Sequence, residues 1–360
     1  MFCLMASGKM KQFNIKKHLA LILVAIVLTI PVAPFSYDMT LMFITKSVIM
    51  GYNILDPSKP IGKGILLDNA GVPMYDYGYT DGIYIGIQRN PVIISQQAFK
   101  YWNEFQDGDQ KSKKLFLNCA DWLVDNAVLR DNYTVWEYNF PFPDRNLTPP
   151  WISGMAQGQG IQVLVRAYNI TGDQKYLKIA NSSLQSFFVE VKNEGVTYKD
   201  PDTGGWWYEE YPNPYNPKES RVLNGFIFAL LGIHEYYERT GDENAKYLFD
   251  KGIIELKNHL SDYDTGEWTY YDQLGNYAGI NYHHIHVKLL LQLYEITPDP
   301  VFKEYYQKWK SYEDNPLLKY KHMCKKEKAV YPLNFFVIFI FLELIVFAFN
   351  IFVGRCKQEN

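Results

Sequence analysis

The sequence predicts a mainly α-helical domain whose helical hairpins stack into an α/α toroid, an incomplete barrel of hairpins. The first observation is that apolar residues recur at helical spacing in eight segments after residue 91. These segments are 92–105, 113–129, 151–170, 173–192, 220–240, 243–260, 284–296 and 299–312. Eight consecutive helices pair into four hairpins, and repeated hairpins bury a shared face by stacking.

The second observation is a repeated turn between paired helices. Arg166-Ala-Tyr-Asn-Ile-Thr-Gly-Asp resembles Glu235-Tyr-Tyr-Glu-Arg-Thr-Gly-Asp. In each copy we expect the Gly to end one helix and the Asp to cap the start of the next. Pro300 is expected at the first position of the last helix.

The third observation is an aromatic and acidic loop that follows a hairpin. Asp202-Thr-Gly-Gly-Trp-Trp-Tyr-Glu-Glu-Tyr parallels Asp264-Thr-Gly-Glu-Trp-Thr-Tyr-Tyr-Asp, and Trp136-Glu-Tyr is a shorter third copy. Equivalent loops of stacked hairpins gather at one end, which predicts a cleft lined by rings that can pack against sugars. The alternative is an open solenoid that binds protein, although solenoid loops are usually shorter and plainer.

Composition limits the other classes of function. The chain has 360 residues, 48% of them hydrophobic, and a net charge of -3. A broad basic field is lacking, so nucleic acid is not an expected partner. The four cysteines form neither a disulfide framework nor a zinc-site spacing, and a phosphate-binding glycine loop is not found. We therefore expect no cofactor and no metal.

Two apolar segments predict attachment to a membrane. Residues 19–35 follow several lysines and have the pattern of a signal anchor or signal peptide, and residues 331–354 are long enough to cross a bilayer. Four N-x-[ST] sequons favour an extracellular or lumenal domain, in the Golgi of a eukaryote. The sequons begin at Asn132, Asn146, Asn169 and Asn181. The expected divisions are a basic tail (1–18), the first span (19–35), a β-rich arm (36–91), a catalytic toroid (92–314), a basic linker (315–330), the second span (331–354) and a tail (355–360).

Three motifs carry groups suited to proton transfer. Tyr208-Glu209-Glu210-Tyr211-Pro212 places adjacent carboxylates beside tyrosines, and Tyr270-Tyr271-Asp272 occupies the equivalent loop one unit later. The third motif is Asn281-Tyr282-His283-His284-Ile285-His286. We expect it to begin a helix and line the cleft, in preference to binding a metal. An exposed acidic turn is the alternative for the first motif. The small residues of 153–160 predict close packing of helices.

The ordered motifs resemble the C-terminal catalytic domain of the D-glucuronyl C5-epimerase family over residues 90–312. The matching motifs are Met155-Ala-Gln-Gly-Gln, Leu164-Val-Arg-Ala-Tyr, Trp207-Tyr-Glu-Glu-Tyr-Pro, Val222-Leu-Asn-Gly-Phe, Tyr263-Asp-Thr-Gly, Tyr271-Asp272, Asp299-Pro-Val-Phe-Lys-Glu and Trp309-Lys-Ser-Tyr. The resemblance implies conversion of D-glucuronate to L-iduronate within heparosan-type polysaccharides. It also implies an α/α toroid with an associated β-domain. Residues 36–91 are too few to form the whole of that β-domain.

The resemblance places the catalytic tyrosines on Tyr211, Tyr271 and Tyr282 and the catalytic-site glutamate on Glu210. Epimerisation removes the C5 proton from one face of the sugar and returns a proton to the other. We expect Tyr211 and Tyr271, with Tyr282 as a third candidate, to exchange it, while Glu210 orients or deprotonates a tyrosine or the sugar. The expected partners are a uronic-acid polysaccharide and a membrane, and a homodimer is also considered.

Five further residues are expected to contact the substrate. Arg166 or His283 would hold the uronate carboxylate or supply a positive charge near a tyrosinate. Gln157, Trp207 and Asn224 complete the predicted binding set. Two other functions remain open from the residues: a polysaccharide lyase or hydrolase on the same fold, and a non-catalytic glycan-binding protein held at a membrane.

Overall fold

The computed structural model of the chain describes residues 19–29, 50, 61–214, 220–326, 335–336 and 338–345. Contacts divide the chain into two units, one of residues 47–313 and one of residues 1–46 with 314–360. The first unit holds every group discussed below as part of the site.

Short antiparallel strands open the described part of the larger unit. Strand β2 (Pro73–Thr80) pairs with β1 (Ile61–Leu67), β3 (Ile83–Tyr84) and β4 (Ile87–Gln88). The β-rich arm predicted for 36–91 is therefore present over 61–88, and nearly all of its earlier part lies outside the described residues. Two later hairpins supply the other named strands. They are β5 (Val128–Arg130) with β6 (Tyr133–Val135), and β7 (Thr197–Lys199) with β8 (Trp206–Tyr208).

Helices dominate the chain, so the mainly α prediction is confirmed. Each of the eight predicted helical segments overlaps an observed helix. The helices are α1 (Pro91–Gln106), α2 (Gln110–Asp125), α3 (Gly154–Thr171), α4 (Gln174–Leu184), α5 (Leu223–Thr240), α6 (Glu243–His259), α7 (Ile280–Ile296) and α8 (Pro300–Asp314), followed by α9 (Pro316–Lys326).

The helices form two layers. Helix α3 packs against α1 and α5, and α5 packs against α7, so the odd-numbered helices are neighbours in sequence order. Helices α2, α4 and α6 each pack on the preceding odd-numbered helix. This arrangement is the stacking of hairpins that the repeat predicts; closure into a toroid remains a prediction.

The repeated turns have the predicted caps. Gly172 and Gly241 end α3 and α5 in the left-handed region, with φ of 72° and 68°. Asp173 and Asp242 then accept hydrogen bonds from backbone N–H groups at the starts of α4 and α6. The two copies thus share the same local chemistry, in which a residue without a Cβ ends one helix and a carboxylate begins the next.

Glycines let α3 and α5 cross closely. A Cβ on Gly158 would lie 2.5 Å from the Cα of Ala229, and one on Gly232 would lie 2.0 Å from the carbonyl oxygen of Gly158. The predicted role of the small residues in close packing is confirmed at these positions. The crossing fixes the relative positions of two helices whose N-terminal ends carry the site.

Among the described residues, no helix has both the length and the apolar character that crossing a bilayer requires. Residues 19–29 and 338–345 are helical. The remaining parts of the two predicted spans, 30–35 and most of 331–354, fall outside the described residues. The structure accordingly gives the predicted membrane spans no support.

Candidate functional site

The loops that follow the hairpins meet at the N-terminal ends of α3 and α5. The backbone N–H of Gly154, the first residue of α3, donates to the carbonyl oxygen of Glu209 over 2.7 Å. The N–H of Leu223, the first residue of α5, donates to the carbonyl oxygen of Tyr271 over 3.2 Å. Two predicted loops are therefore attached to the starts of two neighbouring helices, which brings their side chains together.

An aromatic cleft of about 370 Å³ opens at this end of the helices. Its walls come from strand β2, from the segment before α3 and from the Glu210 loop. The lining includes Tyr75, Tyr77, Asn90, Tyr138, Phe140, Phe142, Trp151, Glu210, Tyr211 and Tyr282. Tyr138 stacks on Trp151 with ring centroids 3.8 Å apart. Flat rings around a few polar groups suit the binding of a sugar.

The four residues predicted as catalytic lie together. The Tyr211 hydroxyl donates a hydrogen bond to the Glu210 carboxylate, and side-chain hydrogen bonds connect Tyr271 with both Tyr211 and Tyr282. The rings of Tyr271 and Tyr282 are 4.7 Å apart. Tyr211 and Tyr282 line the cleft, whereas Tyr271 is absent from its lining. The series runs from a carboxylate through three hydroxyls, with Tyr271 between the two tyrosines that face the cleft.

Burial sets the protonation of this series. It raises the pKa of the Glu210 carboxyl to about 7, against the opposing effects of the Tyr211 hydrogen bond and the Arg145 charge. Burial also raises the pKa of Tyr211 and of Tyr271 well above 10, and the Glu210 charge adds to both shifts. Near neutral pH the tyrosines are therefore phenols, and Glu210 is the group that exchanges a proton readily.

A glycine makes room for Glu210. A Cβ on Gly225, in the first turn of α5, would lie 2.0 Å from Oε2 of Glu210 and 2.7 Å from its Cβ. Oε2 is buried and has no hydrogen-bond partner within the part of the chain that the structure describes. The same holds for Oδ1 of the neighbouring Asn224. Of the five predicted substrate-binding residues, Asn224 and Trp207 each keep a buried polar atom without a partner among those residues, Oδ1 and Nε1 respectively.

Arg145 lies beside the tyrosines although it was not among the predicted site residues. Its guanidinium carbon lies 5.1 Å from the ring centre of Tyr211 and 5.8 Å from that of Tyr271. Its Nη2 is 3.0 Å from Oδ2 of the buried Asp272. The available signal was a lone arginine in the proline- and aromatic-rich segment between the first aromatic loop and α3.

The structure places Arg166 apart from this cluster, contrary to expectation. It lies in the second half of α3, about three turns of helix from Gly154 at about 3.6 residues per turn. Its Nε and Nη2 donate to the two carboxylate oxygens of Glu235 over 2.8 and 2.7 Å. The guanidinium also stacks over the rings of Phe99 and Trp102. Because this ion pair occupies the fork of the guanidinium, Arg166 has a structural role here.

Three more predicted substrate contacts are occupied by the fold. Gln157 exchanges hydrogen bonds with the backbone of Trp136. Trp207 is fully buried and stacks on Phe226 with ring centroids 3.9 Å apart. His283 is fully buried, with its two ring nitrogens bonded to Thr269 Oγ1 and to the carbonyl oxygen of Trp309. These side chains hold the core beneath the cleft and are not brought to its surface.

One group of described residues has the spacing of metal ligands. Asp200, Glu255 and His259 present one ligand atom each within 4.8 Å of one another. Arg221, however, lies between the two carboxylates, 2.9 Å from Glu255 and 3.4 Å from Asp200. The buried guanidinium pairs with both carboxylates, so the group acts as an ion-pair network that ties α6 to the segments before β8 and α5.

Comparison with known proteins identifies relatives of the chain. The family model described as "D-glucuronyl C5-epimerase C-terminus" matches residues 130–311. An uncharacterized protein of Methanocaldococcus jannaschii is 34% identical over 268 residues, which are 69% of this chain and 85% of that protein. A D-glucuronyl C5-epimerase of Caenorhabditis elegans is 37% identical over 217 residues, 55% of this chain. The match spans only 34% of the nematode enzyme.

The similarity to solved structures is weaker. An unsaturated glucuronyl hydrolase from Streptococcus agalactiae has a TM-score of 0.43 and 18% identity, covering 62% of this chain and 56% of that one. A cellobiose 2-epimerase from Spirochaeta thermophila has a TM-score of 0.38 and 13% identity, covering 60% and 53%.

Proposed function

The chain belongs to the D-glucuronyl C5-epimerase family, and from this premise we propose that it inverts C5 of D-glucuronate within a polysaccharide to give L-iduronate. The observation that carries the proposal is the hydrogen-bonded series from Glu210 to Tyr282 beside an aromatic cleft. Family membership supports a carbohydrate epimerase; the uronate and the polymer are the proposed part.

The first proposed step breaks the C5–H bond. As the Tyr211 oxygen takes the C5 proton, its own hydroxyl proton passes to the Glu210 carboxylate, so that Tyr211 stays neutral and Glu210 becomes a neutral acid. The electron pair of the broken bond delocalises into the uronate carboxylate as an enolate. This coupling is favourable because a Glu210 with a pKa of about 7 is a much stronger base than a carboxylate in water.

The second step forms the new C5–H bond from the other face. Tyr282 gives its hydroxyl proton to C5 and becomes a tyrosinate. Its hydrogen bond with Tyr271, and that of Tyr271 with Tyr211, then provide a path that returns the Glu210 proton to Tyr282. The cycle ends with Glu210 ionised and three neutral tyrosines, so no proton is gained or lost.

Incubation of the purified chain with glucuronate-containing oligosaccharides in deuterated water tests the function. We expect deuterium at C5 together with an L-iduronate product, read by mass spectrometry and proton NMR. An unsaturated product that absorbs in the ultraviolet would identify a lyase instead. Binding of the oligosaccharide without any exchange would identify a glycan-binding protein.

Gly225→Ala is expected to lower the exchange rate by about a hundredfold while the protein remains folded. The added methyl group would displace Glu210, and a shift of about 1 Å in a catalytic group can cost that much. Alanine also favours the helix more than glycine does, so α5 should persist. Exchange rates and circular dichroism are compared with those of Glu238→Ala, an exposed change on the same helix. A full rate in Gly225→Ala would contradict the proposed role of Glu210.

We also propose that residues 19–35 and 331–354 attach the domain to a membrane, with the domain extracellular or lumenal. The support comes from the sequence alone: two apolar runs, the lysines before the first run, and four sequons. A homodimer is proposed on the resemblance alone. Release of the full chain from membranes by alkaline carbonate would count against the attachment.

A further inference from the structure

We propose that Arg145 is the receptor for the uronate carboxylate and that Asp272 is its positioning residue. The inference rests on the proposed function and adds to it the group that recognises the acid. It assigns the sugar ring to the aromatic cleft and the carboxylate to a smaller cavity next to it.

The smaller cavity adjoins the cleft at Tyr211. It has a volume of about 140 Å³ and is lined by Arg145, Asn146, Tyr211, Asn213 and Ser220, among others. Tyr211 lines both cavities, so a ring held against Tyr211 in the cleft has its C5 substituent within reach of the smaller cavity. A carboxylate is the C5 substituent of a uronate, and it requires hydrogen-bond donors and a positive charge.

Asp272 fixes the direction of the guanidinium. Oδ2 of Asp272 pairs with Nη2 of Arg145, while Oδ1 accepts hydrogen bonds from the backbone N–H groups of Leu274 and Asn276. The side-chain amide of Asn276 contacts both oxygens. With the carboxylate of Asp272 held at so many points, Arg145 is left little freedom. The pair engages only Nη2 of Arg145, so its other N–H donors suit a carboxylate that binds through two oxygens.

The other arginines near this end are bound by protein carboxylates without facing the tyrosines. Arg89 pairs with Asp68 and Arg130 with Glu137. Arg145 also has an acidic partner, but its guanidinium lies against the rings of Tyr211 and Tyr271. Of the arginines that the structure describes, it is therefore the one whose charge lies where an enolate would form.

This position explains how the C5 proton becomes removable. The proton next to an ionised carboxylate is very weakly acidic, because its loss adds a second negative charge to the same group. A guanidinium on the carboxylate stabilises that added charge more than it stabilises the ground state. The Arg145 charge also acts on Tyr271 and Tyr282, whose pKa values burial raises, and partly offsets that rise.

Binding of two matched oligosaccharides tests the assignment. One contains glucuronate, and in the other the same carboxyl is reduced to an alcohol, so that the ratio of the two Kd values measures recognition of the acid. We expect the wild type to prefer the acid, and Arg145→Gln to reduce that preference about ten- to a hundredfold, which is the usual loss for a hydrogen bond to a charged group. Arg145→Lys should restore part of the preference. Asp272→Asn should reduce it while leaving affinity for the reduced sugar unchanged.

Arg166→Gln is the matched comparison. Arg166 has the same side-chain exposure as Arg145, 17%, a similar ion pair and a similar stack on two rings. Loss of acid preference in Arg166→Gln but not in Arg145→Gln would overturn the inference, as would a wild type that binds both sugars equally or binds neither. Because the readout is binding, a chain that prefers the acid but exchanges no C5 proton would refute the proposed epimerisation and leave this assignment standing.

Discussion

Tyr211→Phe is expected to lower the rate of conversion of glucuronate to iduronate by about 10²–10⁴-fold, the usual contribution of a general acid or base. The substitution keeps the ring, whose centroid lies 5.3 Å from that of Phe142 and 6.2 Å from that of Trp151, and removes only the hydroxyl. Without it Glu210 has no path to the C5 proton. The measurement is the rate of product formation at saturating oligosaccharide, followed by NMR.

The placement of two tyrosines on opposite faces of the sugar also predicts how each variant exchanges the C5 proton with solvent when it cannot invert the sugar. A variant in which Glu210 is still connected to one face can remove and return the C5 proton of the epimer that presents it to that face. Tyr282→Phe should therefore retain solvent exchange with glucuronate, whereas Tyr211→Phe, which also breaks the path from Glu210 to Tyr282, should lose exchange with both epimers. Tyr247→Phe, which removes the hydroxyl of a 45% exposed tyrosine, should behave as the wild type. If Tyr211→Phe inverted its substrate at the full rate, the assignment would be wrong.

Glu210→Gln is expected to slow the reaction by a similar factor and to change its dependence on pH. The pKa of Glu210 is raised to about 7, and the ionised form is the base, so the wild-type rate should rise as pH increases through about 7. The variant should lack this rise. Glu209 is the matched control, because burial raises the pKa of its carboxyl to about 8 although its side chain is not part of the series. A Glu209→Gln variant that lost the rise while Glu210→Gln kept it would reverse the two roles.

Although Glu210→Gln should lower the rate, it should raise the free energy of unfolding at neutral and higher pH. A carboxyl whose pKa is higher in the folded state stabilises the fold fully below its unfolded pKa of 4.5, and this contribution is lost as pH rises through about 7. The cost of the buried charge is on the order of 3 kcal/mol by pH 8. Relative to the wild type, Glu210→Gln should therefore gain unfolding free energy between pH 5 and pH 8, as measured by denaturant titration. An inactive variant that is more stable at pH 8 separates a lost base from a lost fold.

Local signals made the helices predictable. Gly172 and Asp173 end one helix and begin the next through groups within a few residues of each other, so their pattern can be read from the chain directly. The proton-transfer residues required more than this. Nothing in the local sequence separates Glu210 from Glu209, and the family resemblance selected Glu210.

The cationic groups could not be assigned from sequence because their partners are distant along the chain. Arg145 meets Asp272, 127 residues later, and Arg166 meets Glu235, 69 residues later. Arg166 lies in a motif that matches the family and Arg145 does not, and only the fold shows which of them faces the tyrosines. Similarly, Trp207 belongs to a matching motif and His283 to the histidine-rich motif 281–286, but both lie in the core beneath the site.

The Asp200–Arg221–Glu255 network constrains how this chain can diverge. Loss of Arg221 alone would remove the guanidinium that pairs with two buried carboxylates, a defect that commonly costs about 3–5 kcal/mol. Neutralising either carboxylate alone would leave the guanidinium with one carboxylate, a pair of equal and opposite charges. Viable descendants should therefore lose a carboxylate before, or together with, Arg221, and the three positions should covary although they are 21 to 55 residues apart.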